Sequence, residues 1–309
     1  MNKRISFILS IILTIFIFAV IFFSIDISLF IENITKINLW LFILSLILLF
    51  PPFFLFAYRW HIMVKDFREI SFYDSLKLFF VSQSINIVTP SKVGDFTKAY
   101  FVRNEKFKGK VALGACFFEK ILDLFVLSIF AIFGILFAYS QIASFFILFF
   151  LIFLTLLPLF ILVVNLKNDS RLMRLVRLLV PFRSINKIIE EVLLYFQLIR
   201  KNKKNLVNIF IINILLWIIF IYQAYILLLA LGIEINLLAA FGLLPLGIFV
   251  GLLPLTVSGM GTRDAAFILL LSAYADPAVL ALFGILFSLR YIIPGIIGLI
   301  WAKEILVKK

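Results

Sequence analysis

The sequence has little of what soluble enzymes use for chemistry. Among 309 residues there is one histidine, His61, and one cysteine, Cys116. A lone cysteine excludes a disulfide framework, and with one histidine it excludes the Cys/His spacings of a structural zinc site. Charge is scarce as well: Asp, Glu, Lys and Arg make up 15% of the chain, against about 25% in soluble domains. No Asp-x-Asp metal motif is present, and Gly259-Met260-Gly261 follows no strand, so it is not a dinucleotide fingerprint. No cofactor and no metal are expected.

What is present is apolar. Hydrophobic residues make up 64% of the chain, including 39 phenylalanines. A soluble globule has too little interior for that share, so lipid must solvate the remainder. Bases outnumber acids 29 to 16, a net charge of +13. On a soluble chain this would suggest nucleic acid. Here the cations cluster beside apolar runs, as they do in cytoplasmic loops under the positive-inside rule, and no nucleic-acid partner is expected.

A membrane span needs about 20 mostly apolar residues. Six runs qualify: 5–25, 39–58, 111–138, 144–164, 206–231 and 278–302. The first lacks a small-residue cleavage site and reads as a retained helix. Pro51-Pro52 predicts a kink in the second, and Arg59-Trp60 at its end reads as a snorkelling arginine beside an interfacial aromatic anchor. Residues 26–38 then form an outside loop. The stretch 167–205 carries ten Lys and Arg, whereas the proposed outside loops carry only Lys36. That asymmetry predicts a multi-pass protein of the cytoplasmic membrane with both termini in the cytoplasm. Within this stretch Leu172, Leu175, Leu178 and Leu179 alternate with Arg171, Arg174 and Arg177. They predict an amphipathic helix on an anionic leaflet, with membrane lipids as partners.

Two segments, 72–101 and 237–275, begin and end on one side and are too short for two crossings. Each has an apolar arm, a proline, a small-residue turn and an acid near a glycine. Pro90, Gly94 and Asp95 mark the first turn; Pro254, Gly259, Gly261 and Asp264 mark the second. Both predict re-entrant helical hairpins, entering from opposite sides as an inverted repeat. The expected fold is therefore a single all-α polytopic membrane domain over 1–309: six transmembrane helices plus two re-entrant hairpins.

Ionisable side chains inside a bilayer are costly and need a partner or a function. The intramembrane set is Asp95, Lys98, Glu119, Lys120, Asp123, Arg263, Asp264 and Arg290, with Lys92 at the first turn. Helices starting after Gly94 and Gly261 would aim N-terminal amides inward, where anions and phosphates bind. Lys92, Lys98, Arg263 and Arg290 are the candidates to hold a lipid phosphate. Asp95, Glu119, Asp123 and Asp264 are the candidates to pair with them or carry coupling protons. Four cations against four carboxylates leave the sign of the field open. No residue is assigned a catalytic role.

Three stretches carry a resemblance: Asn86-Ile87-Val88-Thr89-Pro90-Ser91-Lys92-Val93-Gly94-Asp95, Phe118-Glu119-Lys120-Ile121-Leu122-Asp123, and Leu253-Pro254 followed by Ser258-Gly259-Met260-Gly261-Thr262-Arg263-Asp264. In order and placement they resemble the lysylphosphatidylglycerol synthase transmembrane, flippase-like family, over nearly the whole chain. Arg59-Trp60 also fits. The resemblance implies lipid translocation. The family's best-known member moves an aminoacylated phospholipid made by a separate cytosolic domain. No such domain is expected in this chain, so aminoacyl transfer is not implied. Where the family often has glutamate after the second-hairpin glycines, this chain has Arg263-Asp264.

The expected function is a flippase or translocase for a phospholipid, glycolipid or polyprenyl-phosphate. The alternatives are a membrane-embedded enzyme acting on a lipid-linked phosphate or sugar, with Glu119 and Asp123 as acid and base, and a lipid-binding assembly protein. Oligomeric state is not readable from the sequence.

Overall fold

The computed structural model of the protein describes residues 3–89, 93–102, 110–135, 183–252 and 255–307. Every regular element among them is helical, as the composition requires. The fourth expected span at 144–164, the basic repeat at 171–179, Pro90, Lys92 and Pro254 all lie outside the described residues.

Helix α1 (Lys3–Ser24) is followed by α2 (Ile27–Thr35), set at 90° to it. The expected loop at 26–38 is thus mostly helix. The Asp26 carboxylate causes this locally, accepting the amides of Ser28 (2.8 Å) and Leu29 (3.2 Å) as an N-cap.

Helices α3 (Leu39–Ile47) and α4 (Phe50–Lys65) run together as one 27-residue unit long enough to cross a bilayer. The break falls at Leu48-Leu49, and Pro51-Pro52 sit in the first turn of α4, where a missing N–H costs nothing. This helix does not end at Tyr58. It continues through Arg59 and Trp60, which are fully buried. The interfacial-anchor expectation for that pair is therefore overturned, and the acids that pay for the burial of Arg59 lie on a neighbouring helix.

The first hairpin is α5 (Phe72–Val88), a 3₁₀ turn at Val93–Phe96 and the short α6 (Thr97–Val102). It leads to α7 (Lys110–Ile135). Next come α8 (Arg183–Ile199) and the long α9 (Lys203–Ala230). The second hairpin is α10 (Leu237–Leu252) and α11 (Thr262–Leu271). At 1.5 Å per residue, α5 and α10 each span about 25 Å, short of a hydrocarbon core of about 30 Å. The returning arms differ, six residues in α6 against ten in α11.

Helices α12 (Pro277–Phe287) and α13 (Leu289–Val307) form the last membrane-length unit, Pro277–Glu304, interrupted at Ser288. Helix α13 packs most extensively on α5. A side chain at Gly298 would collide with the Phe80 carbonyl, so only glycine allows this approach. Ser84 then donates its hydroxyl to the Gly295 carbonyl across the same seam (2.5 Å).

The turn before α11 meets the end of α5. Gly259 (φ 73°) and Gly261 (φ 91°) take left-handed conformations that glycine adopts freely. Between α10 and α11, Ser258 does the same at φ 52°, and its hydroxyl donates to the Asn86 carbonyl at the end of α5 (2.6 Å).

The interior holds two apolar clusters. One holds Trp60 and Met63 of α4, Val111–Leu122 positions of α7 and Ile209 and Ile212 of α9. A larger one holds Phe53 and Ala57 of α4, Val126 and Leu127 of α7 and Leu216 and Trp217 of α9. Arg59, Asp123 and Asn213 fall between these sets on the same three helices, and Glu119 lies one turn before Asp123. A buried polar group therefore sits where the two apolar cores adjoin.

Candidate functional site

Arg59 organises that group. Its Nη2 donates to Glu119 Oε1 (2.6 Å), and its Nη1 donates to Asp123 Oδ1 (2.6 Å) and to the Asn213 side-chain carbonyl. Glu119 and Asp123 meet one guanidinium because residues four apart share a helix face. The indole of Trp217 donates to Asp123 Oδ1 (3.0 Å). Glu119 Oε2 accepts Lys98 Nζ (2.6 Å), and that ammonium lies 4.6 Å from the centre of the Trp60 ring. Arg59, Lys98 and Glu119 are at most 3% exposed. In a low-dielectric interior such charges persist only when paired and hydrogen-bonded, and these are, with the Arg59 Nε alone among their donors left without a partner.

Asp95 begins a second group. It forms an ion pair with Lys120, and its Oδ1 accepts the side-chain amides of Asn86 (2.8 Å) and Gln83 (3.4 Å). Gly94 lies under the same turn, against the Ser82 carbonyl and Asn86, where a Cβ would not fit.

Arg263 and Asp264 form a third group at the start of α11. Arg263 Nε and Nη2 donate to Asp264 Oδ1 (2.9 and 2.6 Å), and Nη2 also donates to the Ser288 hydroxyl (2.7 Å). Asp264 Oδ2 accepts the Gly261 amide (2.8 Å). The chain's own carboxylate thus occupies the helix N-terminus where the sequence suggests an anion.

Arg290 differs from the other cations. It is 3% exposed, has no acid partner among the described residues, and its Nε and Nη1 are buried with no hydrogen-bond partner there, whereas Arg59 lacks one at Nε and Arg263 at Nη1. Its guanidinium lies over Phe220 (3.8 Å) and Phe287 (4.4 Å). Aromatic faces stabilise the charge but leave the edge N–H groups unmet.

A cleft of about 50 Å³ brings the first two groups and Arg290 together, with room for a few waters. Asp95, Lys98, Glu119, Lys120, Asp123 and Arg290 supply its polar wall; Phe53, Phe56, Phe79, Trp217, Phe220 and Tyr291 supply aromatic surface. With Arg59 behind Glu119 and Asp123, four cations and three carboxylates gather here among the described residues, and Arg290 is the formal surplus. Arg263 and Asp264 pair with each other outside the lining.

The structure thus places Lys98, Asp95, Glu119, Asp123 and Arg290 around one cleft, with the Arg263–Asp264 pair outside its lining. Sequence reasoning gave no site role to Arg59, Lys120, Asn213 or Trp217. One signal was readable: Ile62-Met63-Val64 continues the apolar run beyond Arg59, so that arginine lies inside a span.

Membrane-length helices around a buried group of charges define a multi-pass α-helical membrane protein. The chain belongs to the family of the lysylphosphatidylglycerol synthase TM region, whose profile matches residues 7–298. Membership ties it to membrane-lipid function. Among curated proteins none matches the chain.

Proposed function

We propose that the protein is a lipid translocase that passes the headgroup of a phosphate-bearing lipid through the charged cleft while its tails stay in the bilayer. The observation that carries this reading is Arg290: a buried guanidinium facing a polar cleft, with Nε and Nη1 unmet and no carboxylate partner among the described residues. A phosphate oxygen supplies both the missing charge and the missing acceptors. The aromatic surface lining the cleft suits the apolar part of a lipid near its headgroup. Family membership supports a lipid substrate. In this reading the chain lies in the cytoplasmic membrane with both termini inside, and basic residues of 167–205 face the anionic leaflet.

The test is translocation in liposomes. Purified protein is reconstituted with fluorescent phosphatidylglycerol, and an impermeant reductant bleaches the outer leaflet. Loss of inner-leaflet protection with wild type, restored in Arg290→Met, is the expected result. Bleaching that stops at the outer leaflet with folded wild type, for phosphatidylglycerol and for a polyprenyl-phosphate alike, sinks the proposal.

A further inference from the structure

We infer that Lys120 is a second ligand for the phosphate and that Asp95 holds it in reserve, so that ligand and carboxylate compete for one ammonium. This rests on the translocase reading above. Two other cations line the cleft and Arg59 lies behind it, and none matches Lys120. Arg59 is 0% exposed and bonded to two acids and an amide. Lys98 is 3% exposed and held between Glu119 and the Trp60 ring. Arg290 has no acid to leave. The Lys120 side chain is 27% exposed and pairs with one acid, Asp95, itself 8% exposed. An ammonium has three donors, and this one has a single carboxylate partner.

Asp95 is also the carboxylate best prepared to lose its cation. Its Oδ1 already accepts the Asn86 and Gln83 amides, so part of its hydrogen bonding survives when Lys120 swings away. Both lysine and aspartate line the cleft that Arg290 faces. With space for only a few waters there, a phosphate seated on Arg290 of α13 also meets the α7 wall that carries Lys120. The lysine then exchanges one anionic oxygen for another, and the ligand bridges two helices of opposite walls.

Competition predicts an inversion of sign that a structural ion pair does not. The probe is dihexanoyl phosphatidylglycerol titrated into detergent-purified protein, followed by the fluorescence of Trp217 and the other tryptophans. Inorganic phosphate is titrated in parallel to separate a lipid headgroup from the free anion. Lys120→Gln weakens binding about tenfold, the scale of one charge-assisted contact, and Lys120→Arg restores most of it. Asp95→Asn strengthens binding severalfold, because the ammonium is freed. The same substitution made on Lys120→Gln gives no gain. Thermal unfolding of each variant shows whether it folds; if Asp95→Asn does not, Asp95→Ser takes its place.

Wild type that binds the lipid, loses it with Arg290→Met, and is weakened or unmoved by Asp95→Asn overturns the competition and leaves the translocase reading standing. Wild type that binds neither probe overturns both. Tighter binding of inorganic phosphate than of the lipid keeps the Lys120 site but makes its ligand the free anion.

Discussion

Arg59 and Arg290 are both buried guanidiniums, one behind the acids of the cleft and one lining it, yet their surroundings are opposite. Arg59 has two carboxylates, an amide and the Phe56 ring at 5.1 Å. Arg290 has only aromatic faces. Desolvation costs each several kcal/mol. On the α4–α7 wall, neighbours offset that cost within the protein. On the α13 wall the Phe220 and Phe287 faces offset part of it, and no described side chain supplies a counter-charge. In the reading proposed above, the acid-paired wall is the scaffold and the phosphate completes the other.

That contrast breaks or sharpens under mutation. The largest effect is expected for Arg59→Leu. It leaves Asp123 with the Trp217 indole and Glu119 with Lys98, and should cost about 3–5 kcal/mol, the usual penalty for orphaning a buried charge. Thermal unfolding in detergent measures it, and Arg59→Lys should recover only part, since one ammonium cannot reproduce the fork. Arg290→Met should be near neutral or stabilising by about 1 kcal/mol, while translocation falls at least tenfold. If Arg290→Met unfolds as Arg59→Leu does, the two walls are alike and the site assignment is wrong.

Next in size is Gly298→Val. It pushes α13 from the Phe80 carbonyl of α5 and should cost about 1–3 kcal/mol by overpacking. Because α13 carries Arg290, lipid affinity should fall with it. Unchanged affinity would mean that the spacing of α5 and α13 does not set the cleft.

Much of this architecture is legible in the sequence because bilayer physics is severe. The all-helical class, the three membrane-length helices among the described residues and the buried acids follow from hydropathy and from the cost of charge in lipid. The pairing is not legible. Nothing local says that Lys98 goes to Glu119 and Lys120 to Asp95, since adjacent residues on α7 point to different neighbours. Nor does local reading give Arg59 its partners. The apolar Ile62-Met63-Val64 beyond it places Arg59 inside a span, but only the acids of α7, sixty residues on, say what pairs with it. The helix α2 was hidden for a related reason. Ile27–Thr35 is too short to read as a span, and its N-cap, Asp26, looks like any loop acid.

The smallest expected effect concerns the contact between the hairpins, where Ser258 opposes two terms. Its hydroxyl bond to the Asn86 carbonyl contributes about 1 kcal/mol. Its left-handed backbone costs about the same for a residue with a Cβ. Ser258→Ala removes the bond and keeps the strain, so it should destabilise by about 1 kcal/mol. Ser258→Gly removes both and should leave thermal stability almost unchanged. Both variants part the hairpin tip from the helix whose Asn86 amide holds Asp95. If they alter lipid affinity equally despite unequal stability, the hydroxyl links the second hairpin to the cleft. If affinity follows stability instead, Ser258 only packs the turn, and Asp95 is positioned from within the first hairpin alone.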